Sequence, residues 1–287
     1  MKLLDLHSHW GTKRGYVLRT EAELARQKHT WNSEPKYHTE QEMADYFRSQ
    51  NVRAILDFGF TKNLPLAEAA GYHDYAVDTQ RRYPDAILGI WLQIDPRNGA
   101  EGVKELQRCI AASKGFVGLA AAGGTGFPCN DPVFDPYYDV CIAAGAPVLV
   151  FVGHTGAGAG LPGGAGIVLD LCHPRYVDAL AARRPELTII TGRPAWPWQD
   201  EMISILLHKP NVFSELHGWS PKYLTDSLKR EIPRRLKHRI MFGADYPLFT
   251  YERLVADWRA LGYDEDVLNG VFYDNAAKLF ARWLLAG

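Results

Sequence analysis

The stretch APVLVFV at residues 146–152 is a continuous apolar run of strand length. A strand that is apolar on both faces is typical of a parallel sheet covered by helices, because neither face meets water. The sequence GHTG follows directly, so a histidine, His154, stands just beyond the run. The stretch therefore predicts a buried parallel strand with a polar side chain near its carboxyl end.

Apolar runs of strand length alternate with helix-forming stretches along the whole chain. Strands are predicted at 3–9, 53–60, 86–94, 116–121, 146–152, 187–191, 211–216 and 239–245. Helices are predicted at 21–28, 39–50, 67–83, 100–113, 136–144, 175–184, 198–208 and 275–285. The second of these helices opens on a capping box formed by Thr39 and Glu42. This alternation predicts an α/β fold, a single (β/α)8 TIM barrel.

The length and the loops suggest how the domain is organised. The 287 residues fit one barrel domain over 1–287, since barrels of this kind commonly occupy about 250 residues. The segment 10–38 is rich in charged and aromatic residues and shows no clear periodicity. A long loop after a strand that carries polar residues is where a substrate lid is expected, so we interpret 10–38 as a lid-like insertion. Residues 157–166 are mostly glycine and alanine and are predicted to form a flexible loop.

The composition is that of an ordinary globular protein with nearly balanced charge. The net charge is −1 and the sequence pI is about 6.8, which argues against nucleic acid or a membrane surface as a partner and favours a small-molecule substrate. The four cysteines form no CxxC pair, and neither an export signal nor a membrane span is recognisable. We therefore expect a reduced cytoplasmic protein whose thiols fill the core.

Polar residues stand at the carboxyl ends of three predicted strands. His7 and His9 end the first strand, His154 follows the fifth, and Asp245 ends the eighth. In a (β/α)8 barrel these strand ends meet at one mouth, where the chemistry takes place. Three imidazoles and one carboxylate suit Zn²⁺ best, with Mn, Fe or Co as alternatives. The pattern predicts one divalent metal ion that activates a water or polarises a carbonyl.

Asp5 precedes the histidine pair on the same predicted strand. Because side chains alternate along a strand with period two, Asp5, His7 and His9 are expected on one face. Asp5 lies further from the strand end, so it is expected to orient His7 rather than to touch a substrate.

The chain resembles the amidohydrolase superfamily, in the branch of the aminocarboxymuconate semialdehyde decarboxylase-like and resorcylate decarboxylase-like proteins, called amidohydrolase family 2. The matching motifs are DLHSH at 5–9, PVLVFVGHTG at 147–156, WPWQDEM at 196–202, NVFSELHGWSPKYL at 211–224, FGADYPLFTYERL at 242–254 and DNAAKLF at 274–280. The resemblance implies one divalent metal ion held by His7, His9, His154 and Asp245. It also places Asp245 to take or give a proton. Dimers are frequent among similar proteins, so a homodimer is an open alternative.

One position departs from the family pattern. The family usually carries a histidine at the end of the sixth strand, as a base or a carbonyl-polarising group, and the aligned residue here is Arg193. An arginine cannot act as a general base, because its pKa lies above about 12. Arg193 is therefore predicted to bind a substrate carboxylate or to stabilise an oxyanion. A salt bridge to Glu215 or Asp245 is the alternative.

A second departure lies at the end of the seventh strand, where the family commonly has a short Asp-x-Ser pattern and this chain has Glu215-Leu216-His217. Period two places Glu215 and His217 on one face. His217 is therefore the candidate for the missing proton carrier, and Glu215 is a candidate substrate-binding residue. The alternatives are a buried structural carboxylate for Glu215 and a loop histidine packed on Trp219 for His217.

Aromatic residues suit a pocket for a planar substrate. Trp10 directly follows the histidine pair and is the candidate substrate-binding tryptophan. Other tryptophans are interpreted as packing residues, namely Trp91, Trp196, Trp198 and Trp219. Among the remaining histidines, His73 is interpreted as a surface or loop residue.

These residues support three functions. The first is a metal-dependent hydrolase, in which the ion and Asp245 activate a water against a small carboxylate-bearing amide, lactone or ester, while Arg193 holds the carboxylate or the oxyanion. The first alternative is a metal-dependent, non-oxidative decarboxylase of an aromatic or unsaturated acid. The second alternative is a metal-binding protein with little catalysis, in which the loss of the sixth-strand histidine marks abandoned chemistry.

Overall fold

A computed structural model describes residues 1–121 and 123–285, and its centre is a sheet of eight parallel strands that pair in chain order. The strands are β1 (Leu3–His9), β2 (Val52–Asp57), β3 (Ile87–Leu92), β4 (Phe116–Ala121), β5 (Val148–Phe151), β6 (Ile189–Gly192), β7 (Val212–Glu215) and β8 (Ile240–Met241). Backbone hydrogen bonds from Leu6 N to Phe242 O (3.0 Å) and from Asp245 N to His7 O (2.9 Å) join the last strand to the first. The predicted (β/α)8 barrel is confirmed.

Helices follow the strands and cover the barrel. They are α1 (Glu21–Trp31), α2 (Glu40–Ser49), α3 (Leu66–Arg82), α4 (Gly99–Ala112), α5 (Asp135–Ala143), α6 (Arg175–Arg183), α7 (Gln199–His208), α8 (Asp226–Glu231), α9 (Tyr251–Arg259), α10 (Glu265–Asn269), α11 (Asn275–Leu279) and α12 (Ala281–Leu284). The capping box of α2 is confirmed, because the Thr39 side chain accepts from the Glu42 amide and the Glu42 side chain accepts from the Thr39 amide.

The last part of the barrel differs most from the prediction. The eighth strand pairs with β7 only over Ile240–Met241, because the residues after it bond to β1 instead, with His9 N donating to Tyr246 O. The predicted helix 275–285 is divided into α11 and α12 and is preceded by a π-helical turn, Gly270–Asp274. Helices α8, α9 and α10 are absent from the sequence prediction.

The strand β1 contains an irregularity that decides which way its side chains point. Its pairing with β2 shifts between Asp5 and Ser8, as at a β-bulge. Leu6 lies in the apolar cluster inside the barrel, whereas Asp5 accepts a hydrogen bond from the Tyr251 hydroxyl of α9, outside it (2.7 Å). The prediction that Asp5 shares a face with the histidine pair is therefore wrong, because the bulge interrupts the period of two.

Asp5 links β1 to the stretch that follows β8. Its carboxylate accepts hydrogen bonds from the backbone amides of His7 (3.1 Å) and Ala244 (2.9 Å). Burial raises its pKa to about 6, and hydrogen bonds from Ser8 and Tyr251 act in the opposite direction. The bond to His7 agrees with the orienting role that the sequence predicts for Asp5.

Two apolar clusters hold the barrel together. One fills the barrel interior with strand side chains such as Leu6 and Leu149, and three residues of the C-terminal helices pack against it, namely Ala276, Phe280 and Trp283. The other lies between the strands and the surrounding helices. The interior is therefore filled by side chains, and polar groups gather beyond the carboxyl ends of the strands.

The composition also raised expectations about cysteines and membrane segments. All four cysteines, Cys109, Cys129, Cys141 and Cys172, are buried, and the described part of the chain contains no disulfide between them, in agreement with their interpretation as core residues. Within 1–121 and 123–285, no helix is long and apolar enough to cross a membrane.

A polar network buried between α3 and α4 centres on Glu105. One carboxylate oxygen lies 2.8 Å from His73 Nδ1, and Arg108 donates to both oxygens at 2.7 and 2.8 Å. Glu105 also accepts from Cys109 Sγ (3.3 Å). The Arg108 guanidinium binds both carboxylate oxygens of Glu105, so this network links α3 to α4 rather than holding a metal ion. The interpretation of His73 as a surface residue is wrong, since its exposed fraction is 1%.

This network predicts a pH-dependent contribution to stability. Burial raises the pKa of Glu105, but hydrogen bonds from Arg108, His73 and Cys109 outweigh it and lower the pKa from 4.5 to about 2. The ionised form is therefore favoured in the folded state, and its contribution is present at neutral pH and is lost as the pH falls from 4.5 towards 2. We expect Glu105→Gln to lower the free energy of unfolding by about 2 kcal/mol at pH 7 and by much less at pH 3.

Urea unfolding at the two pH values measures this difference. Glu101→Gln is the matched control, because Glu101 lies on the same helix with a 67% exposed side chain paired to Lys104. Surface pairs of this kind contribute little. An unchanged free energy of unfolding for Glu105→Gln at pH 7 would contradict the prediction.

Candidate metal centre

Two ends of the chain meet at the candidate metal centre. His7 and His9 close β1, and Asp245 follows β8, where its backbone amide donates to His7 O (2.9 Å). His9 Nε2 lies 3.2 Å and His7 Nδ1 4.0 Å from Asp245 Oδ1. One potential ligand atom of each residue lies within 4.8 Å of the others. The structure thus brings together three of the four predicted metal ligands.

Asp245 stands in a left-handed backbone conformation with φ of 64°. This conformation is uncommon for residues other than glycine, although aspartate and asparagine adopt it more readily than most. The turn carries the carboxylate to the histidine pair, with 14% of the side chain exposed. Burial raises the pKa of Asp245, but the His9 hydrogen bond and the charges of His217, His9 and His7 hold it well below its usual range.

Asp57 is a further member of the site that the sequence reading missed. It ends β2, is fully buried, and lies 2.5 Å from His9 Nδ1 and 3.1 Å from His7 Nε2. Burial raises its pKa, but the charges of His9 and His7 hold it well below its usual range. The sequence offers one signal for it, because Asp57 is a charged residue inside the otherwise apolar stretch 54–60.

The donor set fits a divalent cation. Burial lowers the pKa of His9, but Asp57 and Asp245 on either side raise it to about 10, so the two carboxylates strongly favour a positive charge between them. His7 Nδ1 is buried, has no hydrogen-bond partner and lies on the side of Asp245. Imidazole nitrogens and a carboxylate are ordinary ligands for Zn²⁺ and similar ions. The residues present therefore suit a metal ion.

His154 lies beyond β5 on another side of the mouth. Its backbone amide donates to Trp196 O (2.7 Å), and its ring lies 5.7 Å from that of Trp196 and 6.4 Å from that of Trp219. Burial and the charge of Arg193 lower its pKa, which favours neutral imidazole. His154 is not among the close ligand atoms of the histidine–aspartate group, and its role as a fourth ligand stays a prediction.

Glu215 and His217 form a buried pair beside the metal group. His217 Nδ1 lies 2.5 Å from Glu215 Oε1, and the His217 backbone amide donates to Oε2 (3.0 Å). The His217 ring lies 3.9 Å from the His7 ring. Burial raises the pKa of Glu215 to about 8 and lowers that of His217 to about 3. Burial therefore favours the neutral form of both groups.

Glycines on the neighbouring strands make room for this pair. A Cβ atom at Gly243 would lie 2.1 Å from Glu215 Oε2, and one at Gly192 would lie 2.8 Å from Glu215 Oε1. Both separations are far below van der Waals contact. The absence of side chains at Gly192 and Gly243 therefore leaves room for the Glu215–His217 pair at the end of β7.

Arg193 follows β6 directly and reaches the same space. Its guanidinium carbon lies 4.9 Å from the centre of the Phe151 ring, and its Nη1 atom is buried without a hydrogen-bond partner. Burial lowers its pKa, while the charges of Asp245, Glu215 and Asp57 raise it. Within the described chain no carboxylate forms an ion pair with it, including the two proposed as salt-bridge partners, Glu215 and Asp245. The geometry leaves a buried cationic donor at the mouth.

The tryptophans are arranged differently from the prediction. Trp10 is fully buried and stacks on Phe58, with ring centres 4.9 Å apart, so its ring is covered by protein. Trp196 is 44% exposed, and its ring lies 5.9 Å from that of Trp219 beside His154. The interpretation of Trp196 as a packing residue is therefore wrong, and it borders the mouth.

The predicted lid segment 10–38 contacts the glycine-rich loop after β5. Arg26 of α1 donates from Nη1 to the carbonyl oxygens of Gly156 (2.6 Å) and Ala159 (2.8 Å). The loop contains Gly158 and Gly160 at positive φ, where a residue without a side chain is favoured. These bonds attach the segment to a loop beside His154. Its role as a lid stays a prediction.

Fold and site together define a class of barrel enzyme, with imidazole and carboxylate groups arranged for a metal ion at the carboxyl ends of parallel strands. The amidohydrolase family 2 sequence model matches residues 5–282. The chain therefore belongs to the amidohydrolase family, as its motifs indicate, and the family is one of enzymes. No curated protein matches the sequence.

Several solved structures share this fold. A 2,6-dihydroxybenzoate decarboxylase in complex with 2,6-dihydroxybenzoate has a TM-score of 0.73 at 15% identity, over 100% of both chains. A 5-carboxyvanillate decarboxylase from Novosphingobium aromaticivorans, with bound manganese, has a TM-score of 0.72 at 16% identity, over 98% of this chain and 96% of that one. A probable 2-pyrone-4,6-dicarboxylic acid hydrolase from Acinetobacter baumannii has a TM-score of 0.63 at 16% identity, over 98% and 100%. At such identities the likeness shows the fold.

Proposed function

We propose that this protein is a metal-dependent, non-oxidative decarboxylase of a planar aromatic or unsaturated acid. The observation that carries the proposal is the partly buried Arg193 guanidinium, whose buried Nη1 atom has no hydrogen-bond partner, at a mouth bordered by the exposed ring of Trp196. A guanidinium fork is well suited to a carboxylate. Every substrate of a decarboxylase must carry a carboxylate, whereas a hydrolysed lactone, amide or ester need not.

The family comparison also supports decarboxylation over the hydrolase reading. Two similar structures are those of decarboxylases that act on hydroxylated aromatic acids, 2,6-dihydroxybenzoate and 5-carboxyvanillate. The rings of Trp196 and Trp219 lie 5.9 Å apart beside His154, and aromatic walls of this kind suit a flat substrate. The aromatic rings and the positive charge of Arg193 therefore favour a hydroxylated benzoate as the substrate.

The metal ion is part of the proposal. His7, His9 and Asp245 would hold it, with His154 as the proposed further ligand, and Zn²⁺ or Mn²⁺ are the first choices. When bound, the ion supplies a Lewis acid that polarises the oxygen atoms of the substrate. The side chains around the ion would bind the substrate and transfer the proton.

The side chains can be given separate tasks. Arg193 binds and orients the carboxylate, and Trp196 covers one face of the ring. As the bond between the ring carbon and the carboxylate breaks, its electron pair stays on the ring carbon and carbon dioxide leaves. His217 Nε2 gives its proton to that carbon, and Nδ1 takes the proton of Glu215 in the same step. The pair therefore replaces the proton carrier that the sixth strand lacks.

Hydrolysis of a carboxylate-bearing lactone, amide or ester is the second candidate. The observation that favours it is the ionised Asp245 beside His9, since a carboxylate that carries its charge at neutral pH is free of a proton and can accept one from a water. The similar structure of a probable 2-pyrone-4,6-dicarboxylic acid hydrolase points the same way.

Product analysis separates these functions. Protein loaded with Zn²⁺ or Mn²⁺ is incubated with hydroxybenzoates and with pyrone carboxylates, and carbon dioxide and organic products are measured. We expect carbon dioxide release and, in D2O, deuterium at the carbon that lost the carboxylate, because the proton comes from an exchangeable group. Chelator-treated protein is the control and is expected to be inactive.

Other outcomes contradict the proposal. Ring opening or ester cleavage without carbon dioxide release would establish the hydrolase. Metal-loaded protein that turns over none of these compounds would support a metal-binding role with little catalysis. The small-molecule substrate, the cytoplasmic location and a homodimeric state remain predictions.

A further inference from the structure

A second cationic side chain reaches the mouth from the opposite side of the barrel. Lys62 lies in a 3₁₀ turn, Thr61–Asn63, just after β2. Its Nζ atom donates to the carbonyl oxygen of Gly59 and to Gln93 Oε1 (3.1 Å). Both partners are uncharged. Among the described residues, Lys62 forms no ion pair.

Lys62 and Arg193 face the mouth from different strands. Lys62 follows β2 and Arg193 follows β6, which are four positions apart in the eight-stranded order and so lie on opposite sides of the barrel. Neither side chain forms an ion pair with a carboxylate of the described chain, and the Arg193 Nη1 atom is buried. The carboxyl end of the barrel therefore carries a cationic side chain after each of two opposite strands.

The two cations also act on each other. Burial and the charge of Arg193 bring the pKa of Lys62 down to about 8, although Asp57 acts in the opposite direction. Holding like charges in a largely buried space is unfavourable. Two anionic groups supplied by a ligand would remove this cost.

We propose that Lys62 is a substrate-binding residue that holds a second anionic group, so that the substrate is a planar dianion with one carboxylate on Arg193 and the other anion on Lys62. The assignment of the first carboxylate rests on the proposed function. Gly124 adjoins this subsite, since a Cβ atom there would lie 3.5 Å from Lys62 Cε. The alternative role of Lys62 is structural, as a link between the turn after β2 and Gln93.

Equilibrium binding tests this inference without requiring turnover. Calorimetry on metal-loaded protein compares benzoate with isophthalate and terephthalate, which present one or two carboxylates on the same ring. We expect at least one dicarboxylate to bind about 10- to 100-fold more tightly than benzoate, because one extra charge-assisted contact forms. Lys62→Met is expected to abolish that preference and to leave benzoate binding within about twofold.

Two further variants complete the design. Lys62→Arg keeps the charge and is expected to keep a preference for dicarboxylates, and it provides the test if Lys62→Met does not fold. Lys104→Met is the matched control, because it removes one positive charge from an exposed position on α4. It is expected to change no affinity.

Several results would overturn the inference. These are equal affinity of wild-type protein for benzoate and both dicarboxylates, binding of none of them, or an equal loss for all three in Lys62→Met. The last result is what a purely structural role predicts. Because binding is read directly, a protein that prefers dicarboxylates but releases no carbon dioxide would refute the proposed reaction and leave the subsite standing.

Discussion

Replacing Asp245 with asparagine is expected to lower kcat/KM by about a thousandfold or more, because it removes the carboxylate proposed as a metal ligand, which lies 3.2 Å from His9 Nε2 and 4.0 Å from His7 Nδ1. Asparagine has nearly the same shape and tolerates the left-handed backbone at φ of 64°. The backbone is therefore expected to persist while the charge is lost. Metal content after dialysis and steady-state kinetics measure the two effects separately.

A surface aspartate provides the control for this substitution. Asp266→Asn removes a carboxylate that is 63% exposed and paired with Lys237, and it is expected to change neither metal content nor activity. Stoichiometric metal together with wild-type turnover in Asp245→Asn would refute the ligand assignment. Circular dichroism checks that both variants are folded.

The second large effect is expected at the buried pair on β7. His217→Ala should lower kcat by about 10²- to 10⁴-fold, the range for loss of a general acid. KM and metal content should change little under the proposed assignment, in which His7, His9, His154 and Asp245 hold the ion and His217 lies against His7 without binding it. His238→Ala, at an exposed histidine, is the control and is expected to leave kcat, KM and metal content unchanged.

Glu215→Gln separates proton transfer from positioning. A glutamine amide can donate a hydrogen bond to His217 Nδ1, where Glu215 Oε1 now lies 2.5 Å away, but it cannot pass a proton on. We expect a reduced kcat with an unchanged KM and a changed solvent isotope effect. Wild-type kcat in either His217→Ala or Glu215→Gln would exclude the relay and leave Asp245 as the proton carrier.

Much of the fold could be predicted because hydrophobic periodicity is a local property. The apolar runs and helical stretches gave all eight strands in order. What failed depends on contacts between distant segments. The shift in β1 arises where Asp5 bonds to Tyr251 and Ala244, and the short β8 arises where its continuation bonds to β1.

The site was predictable where a polar residue visibly ended an apolar run. His7, His9 and Asp245 met that condition and lie together. Asp57 does not meet it, because Phe58 and Phe60 continue the apolar run, and the predicted strand 53–60 therefore places Asp57 in the strand interior although β2 ends there. The exposure of Trp196 and the burial of Trp10 depend on how loops fold over the mouth, which periodicity does not describe.

The bond from Asp245 N to His7 O joins segments that are synthesised at very different times. During translation the histidine pair of β1 emerges early, whereas Asp245 emerges only after all eight strands have been made. A nascent chain therefore carries an incomplete set of ligands until the barrel closes. Under the proposed ligand assignment, the full set of metal ligands exists only once the barrel is complete, so a truncated chain is expected to bind the ion less tightly than the finished protein.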